Sequence, residues 1–192
     1  SAVAAALCGF AIGTETLGSI TSPSHRCGTT GLRPTFGRVS RAGGMALCWS
    51  LDKVGPIARS VEDTALVLAA INGFDADDRS SIEAPFAFDG EASLRGARIG
   101  FLPEAFGDGA MSVDHAALDA ARRLGAEVVE TSLEDLPYNS LMNTLYADAA
   151  AAFEDLTLDD LDDTLARQDA GAWPNAFRKA RFMSAVDHVQ LD

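Results

Sequence analysis

The chain has 192 residues, 47% of them hydrophobic, and a formal net charge of -13. That is enough length and apolar content for one sizeable core, while no apolar run approaches the roughly 18 residues of a membrane-spanning helix. The acidity opposes direct, nonspecific nucleic-acid binding.

Ser1 to Ile12 is apolar and helix-prone, with no basic leader and no cleavage motif, so it reads as a core helix rather than a signal peptide. Between Gly13 and Gly44 the chain is packed with Gly, Ser and Thr. Its centre is Leu17-Gly18-Ser19, where Gly18 can adopt dihedrals closed to other residues and point successive N–H groups at one spot beside the Ser19 hydroxyl. On spacing alone, a glycine-rich structural loop accounts for the run equally well. Ser22-Pro23 reads as a helix start, with Ser22 as cap and Pro23 at the first helical position, which would bring a positive helix end near Ser19. Gly31 to Thr35 then reads as an extended stretch ending in a turn.

His25 raises a second chemistry, a Ser-His pair with an acidic orienter, but a histidine on the second half of that helix need not face Ser19. Cys8, Cys27 and Cys48 are too far apart for a CxxC site, and no metal constellation accompanies them. They read as buried free thiols, and the odd count favours a reducing cytoplasmic location.

Ser60 reads as the cap of a helix, with Asp63 in the box position, an apolar stripe of Val61, Ala65 and Leu68, and a stop at Asn72-Gly73. Asp75, Asp77 and Asp78 fail the calcium-loop pattern, because Ser80 sits where Gly is needed and Phe86 where Glu is needed, so a solvated turn is expected. The stretch from Pro85 to Gly96 marks a boundary between structural units. Beyond it, a strand over 97–103, a helix over 113–124 and a strand over 125–130 make a parallel, right-handed βαβ crossover. From Leu141 the pattern turns helical, with acidic runs at Glu154-Asp155 and 159–163 that read as a solvent-exposed acidic helix. Trp173, Phe177 and Phe182 near the end of the chain read as anchors of helices to the core.

Gly13-Thr14-Glu15-Thr16-Leu17-Gly18-Ser19-Ile20, Pro23, Cys27-Gly28, Gly31 to Thr35 and Gly37 to Ser40 together resemble the core signature of the amidase signature family. That family includes the A subunit of tRNA-dependent amidotransferases. The likeness continues through Ser50 to Pro56, Arg59 to Asp63 and Gly73 to Asp75 with Asp78. It implies an α/β protein, a partial amidase signature fold whose mixed β-sheet is flanked by helices on both faces, as a single domain over 1–192 with a unit boundary at 85–96. By the resemblance Ser19 matches the nucleophile, and the amides of Thr16, Leu17, Gly18 and Ser19 match the oxyanion hole. The family's other two catalytic residues, a cis-serine and a lysine, precede these motifs and would lie upstream of Ser1. Lys53 and Lys179 match no catalytic lysine. The resemblance sets the region of Trp173, Phe177 and Phe182 at the border of a substrate entrance, which makes these side chains candidates to line it, beside their reading as core anchors.

Three positions depart from the pattern: Leu17 stands for the commoner Gly, Glu15 for Asp and Thr21 for Arg. Without a guanidinium at 21 a small anionic substrate is disfavoured, unless the exchange of the acid and the Arg is purely structural. The resemblance implies serine-dependent amide hydrolysis with no cofactor. A free-standing amidase with a small-molecule amide substrate, as a homo-oligomer, is the first reading. An amidotransferase A subunit within its complex is the second, and a noncatalytic protein retaining the fold is the third.

Overall fold

A computed structural model describes residues 1–191. The chain forms two compact units, one of Ser1–Phe88 together with the residues from Tyr138 onward, the other of Asp89–Pro137.

In the first unit, β1 (Phe10–Glu15), β2 (Thr30–Gly31) and β3 (Lys53–Ala58) form an antiparallel sheet in the order β1-β3-β2. Helix α1 (Thr21–Cys27) connects β1 to β2, and α2 (Val61–Ile71) follows β3 and packs on all three strands. In the second unit, β4 (Arg98–Phe101) and β5 (Glu127–Glu130) pair in parallel, Arg98 opposite Glu127 and Phe101 opposite Glu130, with α3 (Ser112–Arg123) between them in sequence. The chain re-enters the first unit with α4 (Leu141–Ala152), α5 (Glu154–Leu158), α6 (Trp173–Ala180) and α7 (Ala185–Leu191); α4 packs on both α6 and α7. The protein is thus an α/β fold with antiparallel and parallel strand pairing flanked by helices. Among the described residues no helix is long and apolar enough to cross a membrane.

Several local expectations are corrected. The apolar start is not a helix over 1–12: it makes a short turn, with Ala5 N–H bonded to Ser1 O at 2.9 Å and Ala6 at a positive φ of 57°, and then enters β1. Pairing with β3 from Phe10 onward satisfies backbone groups that a helix would have satisfied internally. Helix α2 begins as expected, Ser60 Oγ accepting the Asp63 N–H at 3.1 Å, but its buried face is Thr64, Ala65 and Leu68, with Val61 exposed. Thr64 is tolerated inside because its hydroxyl donates to Val61 O at 2.7 Å.

The acidic stretch near 160 is not one exposed helix. It breaks into α5 and a tight turn over Leu161–Thr164, in which Asp162 is fully buried. Its partner comes from α6, where Arg178 Nη2 stands 2.8 Å from Asp162 Oδ2 and 2.6 Å from Asp163 Oδ1.

Close approach of chain segments limits the sheet at Gly55, opposite Gly13 in the β1–β3 register. A Cβ on Gly55 would overlap the Leu32 carbonyl oxygen and lie 2.6 Å from Pro34 Cδ. Gly55→Ala is expected to destabilise the full-length protein by about 2 kcal/mol or more, read as a lowered denaturation midpoint, since rigid backbone cannot yield as a side chain would. Arg178→Met should cost about 3 kcal/mol by the same measurement, because it leaves the Asp162 carboxylate buried and uncompensated.

Candidate active site

Strand β1 ends at Glu15, directly opposite Lys53, the first residue of β3. Antiparallel pairing therefore sets residues just after Glu15 beside residues just before Lys53. The outcome is a cleft of about 340 Å³ whose lining includes Thr16, Ser19, Arg41, Trp49, Asp52 and Lys53.

Ser19 is solvent-exposed on this cleft, one residue after Gly18 at φ +94°, a conformation that a side chain would strain. Ser19 precedes α1, but Ser22 does not cap that helix. The helix starts at Thr21, and Glu15 from β1 supplies the acceptor: its Oε2 takes the N–H groups of Ile20 at 2.7 Å and Thr21 at 2.9 Å, and the Thr21 hydroxyl at 3.2 Å. A strand-borne carboxylate makes the Ser22 side chain unnecessary as a cap. Burial pulls the Glu15 carboxyl upward, but donation from the Thr21, Ile20 and Gly18 amides and the Thr21 hydroxyl outweighs it and holds the group below the usual glutamate range. Arg33 Nε adds an ion pair at 3.6 Å. The Glu15 and Thr21 departures thus act together structurally, hydroxyl to carboxylate.

The N–H groups of Thr16, Leu17 and Ser19 find no acceptor in the chain among the described residues. Thr16 is held otherwise. Its hydroxyl donates to Asp52 Oδ1, and its carbonyl accepts from Lys53 Nζ at 3.1 Å. The other Asp52 oxygen accepts the N–H groups of Leu47 at 2.8 Å and Cys48 at 3.0 Å, which fixes the loop forming one cleft wall. Burial, reinforced by the Arg33 guanidinium, draws the Lys53 amine below the ordinary lysine range against the pull of Glu15 and Asp52.

Arg41 ties that loop to the turn at 75–81. Its Nη1 donates to Trp49 O at 2.6 Å and its Nη2 to Ser80 Oγ at 2.6 Å, with the Phe36 ring 4.6 Å from the guanidinium carbon. Asp78 accepts the Arg41 N–H at 2.8 Å and the Ser80 N–H at 3.0 Å. The expectation of a solvated turn therefore fails for Asp78, which is buried because its oxygens are supplied with donors. Burial raises its pKa, but the Ser80 hydroxyl and the Arg41 and Ser80 amides win and hold it at about 2.

His25 lies exposed on α1, and the cleft lining does not include it. Cys48 is buried as expected, whereas Cys27 is exposed and Cys8 partly so. Among the described residues no group of three or more His, Cys, Asp or Glu stands ready to hold a metal ion. The three aromatic residues near the carboxy terminus stand elsewhere than the Ser19 cleft. Phe177 is 3% exposed and stacks on Phe153 at 5.0 Å and on Trp173 at 5.6 Å; Phe182 is 90% exposed. The sequence alone assigns no site role to Arg41, Trp49, Asp52 or Lys53, though the last two belong to the motif after Ser50.

The protein-family model described as Amidase matches residues 1–190. The chain belongs to that family. The chain is 41% identical over 173 residues to the A subunit of the glutamyl-tRNA(Gln) amidotransferase of Deinococcus radiodurans, a match covering 88% of this chain and 34% of that protein. Among solved structures, the peptide amidase of Stenotrophomonas maltophilia superposes with a TM-score of 0.76 at 31% identity, covering 99% of this chain and 45% of that one. The A subunit of the glutamyl-tRNA(Gln) amidotransferase of Thermotoga maritima gives 0.71 at 26% identity, covering 99% and 41%. The amidase-family chain thus spans about a third of the length of the curated relatives it matches.

Asp78 titrates at about 2, below the ordinary 3.8, so the stability it confers is fully present above about pH 4 and is lost as pH falls through 2. Asp78→Asn in the full-length protein should cost about 2 kcal/mol at pH 7 and flatten the fall in stability between pH 4 and 2, as measured by denaturant titrations across that range.

Proposed function

We propose that the full-length protein transfers or hydrolyses amide-derived acyl groups through Ser19, and that it serves as the A subunit of a glutamine-dependent tRNA amidotransferase. The observation that carries the chemistry is an exposed Ser19 hydroxyl on a cleft, adjoining main-chain N–H groups that no acceptor among the described residues satisfies. Ser19 Oγ attacks the amide carbonyl, and the tetrahedral oxyanion is met by the N–H groups of Leu17 and Ser19, with Thr16 beside them. The resemblance places the Gly18 N–H in the same set, and it also helps to hold the neighbouring Glu15 ionised. Ammonia leaves, and water or an acceptor amine then releases the acyl group. A serine hydroxyl needs a base, a part that the family resemblance gives to a cis-serine and lysine pair.

The curated relatives support the amidotransferase reading, since several at 40% to 46% identity carry that name. A free-standing amidase is the second reading, favoured by the likeness to the peptide amidase. An acidic chain fits either, because in an amidotransferase the RNA can be held by a different polypeptide of the complex.

In the full-length protein, Ser19→Ala should lower hydrolysis of a simple amide by at least about 1,000-fold and abolish covalent labelling by an acylating probe. Undiminished turnover in that variant would end the proposal. Co-purification with a tRNA-binding, B-type partner protein and ATP-dependent amidation of charged tRNA with glutamine are expected of the amidotransferase reading; turnover of amides without either partner or ATP is expected of the second.

A further inference from the structure

The geometry points to Lys53 as a positioning residue that, by holding the Thr16 carbonyl, sets the direction of the Leu17 N–H toward the reacting carbonyl oxygen. This inference rests on the proposed role of Ser19. The described residues contain no cis peptide bond, so the Thr16 carbonyl and the Leu17 N–H point to opposite sides of one peptide plane. Whatever holds the first aims the second.

Little else in the segment does so. Leu17 is 65% exposed, so its side chain gives the peptide no packed anchor, and the next residue is Gly18, whose backbone turns more freely than any other. Rotation of this peptide plane would carry the Leu17 N–H away and set a carbonyl oxygen in its place, where it would repel a developing negative charge. Lys53 resists that rotation from a fixed position. Its side chain is withdrawn from solvent, and Nζ donates to Leu51 O as well as to Thr16 O at 3.1 Å. Asp52 holds the adjoining side chain by accepting the Thr16 hydroxyl. With two carbonyl oxygens to serve, the Lys53 amine is a donor at this site.

The test is steady-state kinetics of the full-length protein on a simple amide, comparing Lys53→Met, which keeps the aliphatic stem, with Lys53→Gln, which restores N–H donors. Lys53→Met is expected to lower kcat by about 10- to 100-fold while KM stays within about twofold, and Lys53→Gln to recover a substantial part of kcat, because only the transition state draws on the Leu17 N–H. A trigonal boronic acid, which gains an oxyanion on attack by serine, should lose affinity for Lys53→Met by a similar factor. Parent-like kcat in Lys53→Met overturns the inference, and so does a variant too unstable to assay, since either outcome assigns the ammonium to something other than the amide. If Ser19→Ala abolishes turnover while Lys53→Met does not alter it, the inference fails alone; if Ser19→Ala is fully active, the functional reading fails with it.

Discussion

One cross-strand pair, Glu15 opposite Lys53, organises this molecule. Both residues are buried at the edge of the β1–β3 ladder, and both turn their charge on the loop between β1 and α1. Glu15 gathers the amides that open the helix, and Lys53 grips the carbonyl of Thr16. A flexible glycine-containing bend is thereby pinned at both ends by opposite charges. Neither charge is left without compensation, which is why the sheet can carry them inside.

The same register explains how the cleft acquires walls from distant sequence. Asp52 precedes β3 and reaches Thr16 on one side and the Leu47 and Cys48 amides on the other. Arg41 continues the chain of contacts to Ser80 and Asp78. The cleft is thus enclosed by a polar lattice of carboxylates and guanidinium, with fixed donors and acceptors, rather than by apolar packing alone. Rigid dipoles of this kind suit a site where charge develops during reaction.

Much of this is legible in the residues, and the omissions have physical causes. The nucleophile candidate, the bend at Gly18 and the Ser60 cap are marked by local chemistry, because turns and caps depend on a few adjacent residues. The β4–α3–β5 unit follows from a change of hydrophobic period. Strand β1 is hidden in the sequence because its Ala-rich approach favours helix locally, and only pairing with β3, some 40 residues on, makes extended backbone the better solution. Asp78 and Asp162 look solvated in the sequence because their cationic partners, Arg41 and Arg178, lie 37 and 16 positions away in the chain. Lys53 carries no signal of its own; recognising it requires the antiparallel register to be known first.

Asp148, on α4, accepts the Cys48 thiol at 3.1 Å, the Ser50 hydroxyl at 2.8 Å and the Ser50 N–H at 3.2 Å. A wall of the cleft is therefore moored to chain made a hundred positions later, after the whole 89–137 unit has been synthesised. During translation at roughly 5–20 residues per second, the nascent signature segment waits for several seconds before that mooring exists. Its loop spends that interval without its final tether, and the cleft takes its finished shape as a late event of biosynthesis.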